Sequence, residues 1–66
     1  MINMNRKYFN DFCKNNIGSK IVLVFNHDKH KLIGKPILFN DRYLIREDNC
    51  CLLDLNPKNI DDIYVL

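Results

Sequence analysis

The chain has no alanine, threonine, glutamine or tryptophan, and its 66 residues include two glycines, two prolines and one serine. With Ser19 the lone serine, a hydroxyl nucleophile paired with a histidine base has one candidate and no supporting spacing. Gly18 and Gly34 stand apart from each other, which excludes a glycine-rich loop for cradling phosphate. No apolar run approaches the ~18 residues of a membrane span. Residues 1–7 also lack the apolar core and small-residue cleavage site of a signal peptide. Cysteine is sparse too. Cys13, Cys50 and Cys51 form no paired framework, and as strand neighbours Cys50 and Cys51 point to opposite faces. They read as reduced, apolar thiols of a cytoplasmic protein. His27 and His30 flank Asp28, but two imidazoles on a turn without a matching cysteine pair read as solvated loop residues, not metal ligands. Asp61 and Asp62 are adjacent, so on a strand they diverge and make no convergent carboxylate pair. These absences imply a non-enzyme without cofactor or metal.

What is present describes one small domain, residues 1–66. At 47% hydrophobic and 27% charged, the chain is too apolar for disorder. A domain of this size buries roughly 60% of its unfolded surface, which leaves little room for a large active-site cleft. Ten asparagines and eight isoleucines have AT-rich codons in common with lysine, so the bias reports base composition and lowers the weight of any single asparagine. The net charge of +2 is unevenly spread. Residues 1–35 carry seven basic and two acidic side chains, and residues 36–66 carry three basic and six acidic ones. Halves of +5 and −3 imply two differently charged faces.

Met4, Tyr8, Phe9, Phe12 and Cys13 fall on one stripe of a 3.6-residue period, which predicts a helix over residues 4–15. Asn3 or Asn5 caps its start, and Gly18 follows its end. Everything beyond reads as strand. Residues 20–25 are apolar on both parities, as expected of a strand covered on one side by a barrel interior and on the other by an outer helix. Residues 31–39 contain Gly34, which marks a sharp bend or close backbone approach, and Pro36, which confines the strand to an edge or bulge there. Asn40 and Asp41 make a tight hairpin turn, because both tolerate left-handed geometry. Residues 42–47 form a third strand and residues 50–55 a fourth. Asn56-Pro57-Lys58-Asn59 presets a type I or 3₁₀ turn, and residues 60–65 form the last strand. One helix, then five short strands with a bent second strand, is the pattern of a closed small barrel, which leaves no open sheet edges.

This order of features resembles the Sm/Lsm/Hfq family of RNA-binding SH3-like barrels. Residues 17–24, Ile-Gly-Ser-Lys-Ile-Val-Leu-Val, look like the family's first strand. Gly34-Lys35-Pro36-Ile37-Leu38-Phe39-Asn40 is similar to its G-x-L-x-x-F-D stretch and keeps the Gly and the Phe at that separation. Residues 43–48 and 59–65 are similar to its third and last strands. The departures fall at the RNA contacts. Leu44 stands where Sm-type members read a base with Asn, Asn56-Pro57 replaces an Arg-Gly pair, and Lys58 lies out of register with the Lys-His of the Hfq variant. The resemblance implies a mainly β protein, an N-terminal helix followed by a five-stranded bent small barrel, that binds single-stranded nucleic acid, RNA ahead of DNA.

Lysines and arginines on the second and third strands agree with that implication. Lys31 and Lys35 share one strand face, and Arg42 and Arg46 share a face of the next, so the four can make one phosphate-binding patch, with Lys29 nearby. Asn40, Tyr43 and Lys58 then stand at base-contact loops. As plain structure, the same charges are a solvated face that protects sheet edges. The alternative function is a protein-interaction module, either a homo-oligomer (ring or dimer) or a phage or mobile-element inhibitor of a host protein. Cys50, Leu52, Leu53 and Leu55 would pair with a neighbour carrying Ile63 and Val65, as the fourth and fifth strands do in rings of the family. Asp54, Asp61 and Asp62 near that edge repel nucleic acid and suit a basic protein surface.

Overall fold

Asn5 opens the helix that the aromatic stripe predicts. In this computed structural model, which describes residues 4–49 and 51–66, the Asn5 backbone is extended and its side-chain oxygen accepts from the Tyr8 N–H at 2.8 Å. This satisfies one of the donors that the first turn leaves without a partner. Helix α1 spans Arg6–Asn15, and the Asn16 N–H donates to the Cys13 carbonyl at its end. Met4, Phe9 and Cys13 are buried and Phe12 partly so, whereas Tyr8 of the same stripe is exposed.

Strands β1 (Ile21–Phe25), β2 (Lys31–Phe39), β3 (Arg42–Arg46), β4 (Leu52–Leu53) and β5 (Ile60–Val65) follow. They form one antiparallel sheet in the order β4-β3-β2-β1-β5. The chain is mainly β and small-barrel-like, as its sequence implies. Strand β2 sets the curvature. Residues 31–34 pair with β1 and residues 35–39 with β3, so β2 changes partner at Gly34. A Cβ at Gly34 would sit 2.6 Å from Ile45 Cγ2 and 2.8 Å from the Arg46 carbonyl oxygen, so the bend is as tight as a missing side chain permits. Beyond Gly34 the β1 side of β2 has no partner strand. There the N–H that Pro36 lacks has no ladder to serve on that side. Asn40 (φ 50°) and Asp41 (φ 63°) are both left-handed and join β2 to β3 through a two-residue turn.

Two expectations change. Among the described residues no ladder joins β4 to β5, so the sheet does not close, and β4 is two residues long where the sequence predicts residues 50–55. On the near side of β4, Cys51 is held in a turn: its N–H donates to Asn49 Oδ1 and its carbonyl accepts from the Glu47 N–H. On the far side, Asp54 pairs with Arg42 at 2.6 Å, and the Asn56 side chain caps the 3₁₀ turn Pro57–Asn59 by accepting from the Lys58 N–H. Cys50 lies outside the described residues. The second change concerns β1: among the described residues no helix covers its outer side. Phe9 and Cys13 of α1 join Ile21, Leu23, Ile45, Ile60 and Ile63 in a single core, so α1 lies on the inner side of the sheet. On the outer side Val22 is flanked across the ladders by Ile33 and Tyr64. The apolar doubling of β1 thus reports two sheet neighbours and not a second covering layer.

Ile60 and Ile63 are an odd number of residues apart, yet both reach the core. A register shift makes this possible. Phe25 pairs with Ile60 and Val24 with Asp62, so Asp61 is an extra residue that exchanges the two faces of β5. The Asp61 carboxylate accepts from Lys29 Nζ at 2.7 Å, across the turn between β1 and β2. Among the described residues, no helix is long and apolar enough to cross a membrane.

Candidate nucleic-acid interface

The seven cationic and polar residues singled out from the sequence fall into four places. Lys35 and Arg46 stand directly opposite each other on the β2–β3 ladder, and Arg42 stands opposite Phe39 on the same face. Like charges facing across a ladder weaken a sheet, so this pair costs stability. Lys31 shares the outer face by parity. It pairs instead with Val24 of β1, on the far side of the bend and about 13 Å along the strand from Lys35. Of the expected four-cation patch, Lys35, Arg42 and Arg46 share the β2–β3 ladder, and Lys31 is on the β1–β2 ladder. Asn40 occupies the hairpin tip.

Arg42 and Lys58 belong to the fourth place, an open cleft of about 850 Å³ at one end of the sheet. That is more room than a core this small implies. Strand β4 ends at Leu53, and residues 54–58 after it line the cleft together with residues 4–6 and Arg42. Arg6 from the first turn of α1, Arg42 from the start of β3 and Lys58 from the 3₁₀ turn line it together, with Asp54 as its one acid. Three cations against one carboxylate give a net +2. Buried Met4 and Pro57, with half-buried Leu55, supply apolar lining. A second, smaller hollow of about 150 Å³ shares Arg6 and Arg42 and adds Tyr43 and Asp41, so Tyr43 stands one step from the cleft.

Arg6 is the residue that the sequence did not reveal. It lies off the apolar stripe and reads there as a solvated charge. Its guanidinium packs over the Phe9 ring, 6.0 Å from the centroid, which anchors it at the cleft edge. The available signal is its position directly after the capping Asn5. First turns favour acids, because helix amides place partial positive charge there, and α1 has none. Arg42 is held by Asp54 at 2.6 Å, with both side chains about half exposed. A guanidinium has five N–H donors, so one carboxylate leaves several directed elsewhere.

The residues named for the alternative function lie at the two sheet ends. Leu52 and Leu53 are on β4, Leu55 packs on the core, and Ile63 faces inward, so Ile63 offers that edge its backbone alone. Val65 is exposed at the end of β5. In the turn after β1, the His30 N–H donates to Asp28 Oδ1 and holds the Asp28 carboxyl below its usual range, and the His30 ring stacks on Phe25. Compared with protein-family models, curated proteins and solved structures, this chain has no match.

Proposed function

We propose that this protein is a non-enzymatic cytoplasmic small barrel that binds single-stranded nucleic acid. The cleft at the end of the sheet meets the phosphates, and Tyr43 beside it stacks on a base. One observation carries the reading: Arg6, Arg42 and Lys58, from three segments far apart in sequence, converge on one cleft with a single acid among them. Folding that gathers three like charges in one place works against stability, and an anionic ligand offsets that cost. The adjacent Lys35 and Arg46 extend the positive surface along β3. Apolar lining and a nearby aromatic ring suit unpaired bases, whose faces are exposed in single strands. The resemblance to the Sm/Lsm/Hfq family ranks RNA ahead of DNA.

The test is fluorescence anisotropy with a short uridine- or adenine-rich oligonucleotide over a range of salt. Three phosphate contacts predict a log–log slope of about −2. Arg42→Ala lowers that slope by ~0.7 and weakens binding by up to about fivefold. Lys14→Ala, at the far end of α1, leaves both unchanged. An affinity indifferent to salt and to Arg42→Ala overturns the reading.

A second reading, self-assembly or docking on another protein, is favoured by the unclosed sheet. β5 offers a six-residue free edge, β4 a short one, and Ile33, Phe39, Leu52 and Tyr64 are exposed on the outer face. Light scattering after size exclusion decides it: a mass of several copies supports assembly, and a single-copy mass removes the homo-oligomer.

A further inference from the structure

We infer that the cleft takes the phosphorylated end of a strand, a terminal phosphomonoester with its nucleoside, in preference to an interior phosphodiester. This rests on the nucleic-acid reading and deepens it.

The charges converge on one cavity. A groove that tracks a backbone has cations spaced along a line, because each phosphodiester brings one charge. Here Arg6, Arg42 and Lys58 line a single cleft together, and Asp54, 2.6 Å from the Arg42 guanidinium, is the acid in its lining. The balance of three cations and one acid is +2, which matches the ~−1.5 to −2 of a terminal phosphate near neutral pH better than the −1 of a diester.

Volume and lining agree with this. About 850 Å³ lies within the 300–1,000 Å³ of sites that enclose small ligands. Met4, Leu55 and Pro57 give a base or sugar an apolar surface, and Asn5 and Asn56, whose side-chain oxygens cap α1 and the 3₁₀ turn, also line it. From this end the rest of the strand has a cationic route along β3. Arg46 lies four residues along β3 from Arg42, on the same face, with Lys35 opposite it. The cleft fixes the end, and Lys35 and Arg46 hold the following phosphates.

Four forms of one RNA sequence test this by anisotropy: 5′-phosphorylated, 3′-phosphorylated, unphosphorylated at both ends, and circular. One phosphorylated linear form should bind about fivefold more tightly than the unphosphorylated and circular forms. That advantage should shrink below about pH 6, where the terminal phosphate takes up its second proton. A nucleoside monophosphate should compete against the phosphorylated strand more effectively than the unmodified nucleoside does. Arg6→Gln, at an exposed position that leaves the fold intact, should remove the end preference, whereas Lys35→Gln weakens all four forms alike. Equal, salt-dependent affinity for all four forms overturns end recognition and leaves nucleic-acid binding standing. No binding of any form overturns both.

Discussion

Phe9→Ala is expected to lower the protein's unfolding free energy by about a third or more. Phe9 is fully buried where α1 meets the inner face of the sheet, in the cluster with Ile21, Leu23 and Ile45. Removing such a ring costs about 3–5 kcal/mol, for lost transfer energy and for the cavity left behind. A 66-residue domain holds on the order of 3–10 kcal/mol in total, at ~0.05–0.15 kcal/mol per residue. The substitution therefore removes a third or more of the stability. Urea unfolding followed by circular dichroism reads it as a large fall in midpoint. Cys13, one turn further along α1, gives a second reading. Burial pushes its thiol up to about 12 from the ordinary 9.0, so it is protonated and shielded while the protein is folded. A thiol reagent at pH 8, with the labelled peptides mapped by mass, should modify exposed Cys51 at once and Cys13 slowly. Phe9→Ala should make Cys13 fast. The same burial has a pH consequence. An unfolded thiol ionises near 9 and the folded one does not, so stability is unaffected below pH 9 and falls as pH rises from there toward about 12. An unchanged midpoint with Cys13 still protected would show that α1 is not fastened to the sheet through Phe9.

Where the sequence foretold the structure, the deciding chemistry was local. Asn5 caps because a short amide at that position reaches the Tyr8 N–H. Asn40 and Asp41 turn because both accept positive φ. Asn56-Pro57 makes the 3₁₀ turn because Pro fixes φ and Asn accepts the next free N–H. Each of these acts within four residues and is visible in any window that contains it. The features that were not legible depend on distant partners. Asp54 leaves the fourth strand for Arg42, twelve positions back, and shortens β4 to two residues. The extra residue at Asp61 faces Lys29 across the sheet and reverses the parity of β5, so period-two counting from Ile60 assigns Ile63 to the wrong side. Apolar residues on both parities of β1 are equally consistent with a covering helix and with flanking side chains, and the lateral neighbours of Val22 are known only once the ladders are.

The candidate site divides in the same way. Lys35, Arg42 and Arg46 share a face because strand parity is local, and counting found them. The separation of Lys31 from Lys35 comes from the change of partner at Gly34, a property of three strands together. Arg6 escaped notice because a helix stripe sorts residues into core and solvent, and a cation at the helix start falls into the second class. Its value comes from Lys58, 52 positions away, arriving at the same cleft.

Gly34→Ala should be the most damaging single added methyl in the sheet. The φ of Gly34 lies outside the left-handed region, so the backbone accepts alanine there and the cost is one of space. The new Cβ would stand 2.6 Å from Ile45 Cγ2 and 2.8 Å from the Arg46 carbonyl oxygen. Ile45 is fully buried and has nowhere to retreat, and the carbonyl belongs to the strand that pairs with β2. Relief requires β2 and β3 to separate at the bend. Overpacking of this kind costs about 1–3 kcal/mol, against ~0.4–1 kcal/mol recovered from a stiffer unfolded chain. A net loss of about 1.3 kcal/mol lowers the melting temperature by roughly 5–10 °C in a domain of this size. Gly18→Ala is the comparison. Its φ of 84° makes alanine strained, at about 1–2 kcal/mol, yet nothing lies within 4 Å of the added carbon. Gly18→Ala should therefore lower the melting temperature and leave oligonucleotide affinity untouched in the folded protein. Gly34→Ala should lower both, because separating β2 from β3 draws Lys35 away from Arg46 and tilts Arg42 out of the cleft. If Gly34→Ala binds normally once folded, the cations on β2 and β3 do not depend on the bend, and the cleft alone holds the ligand.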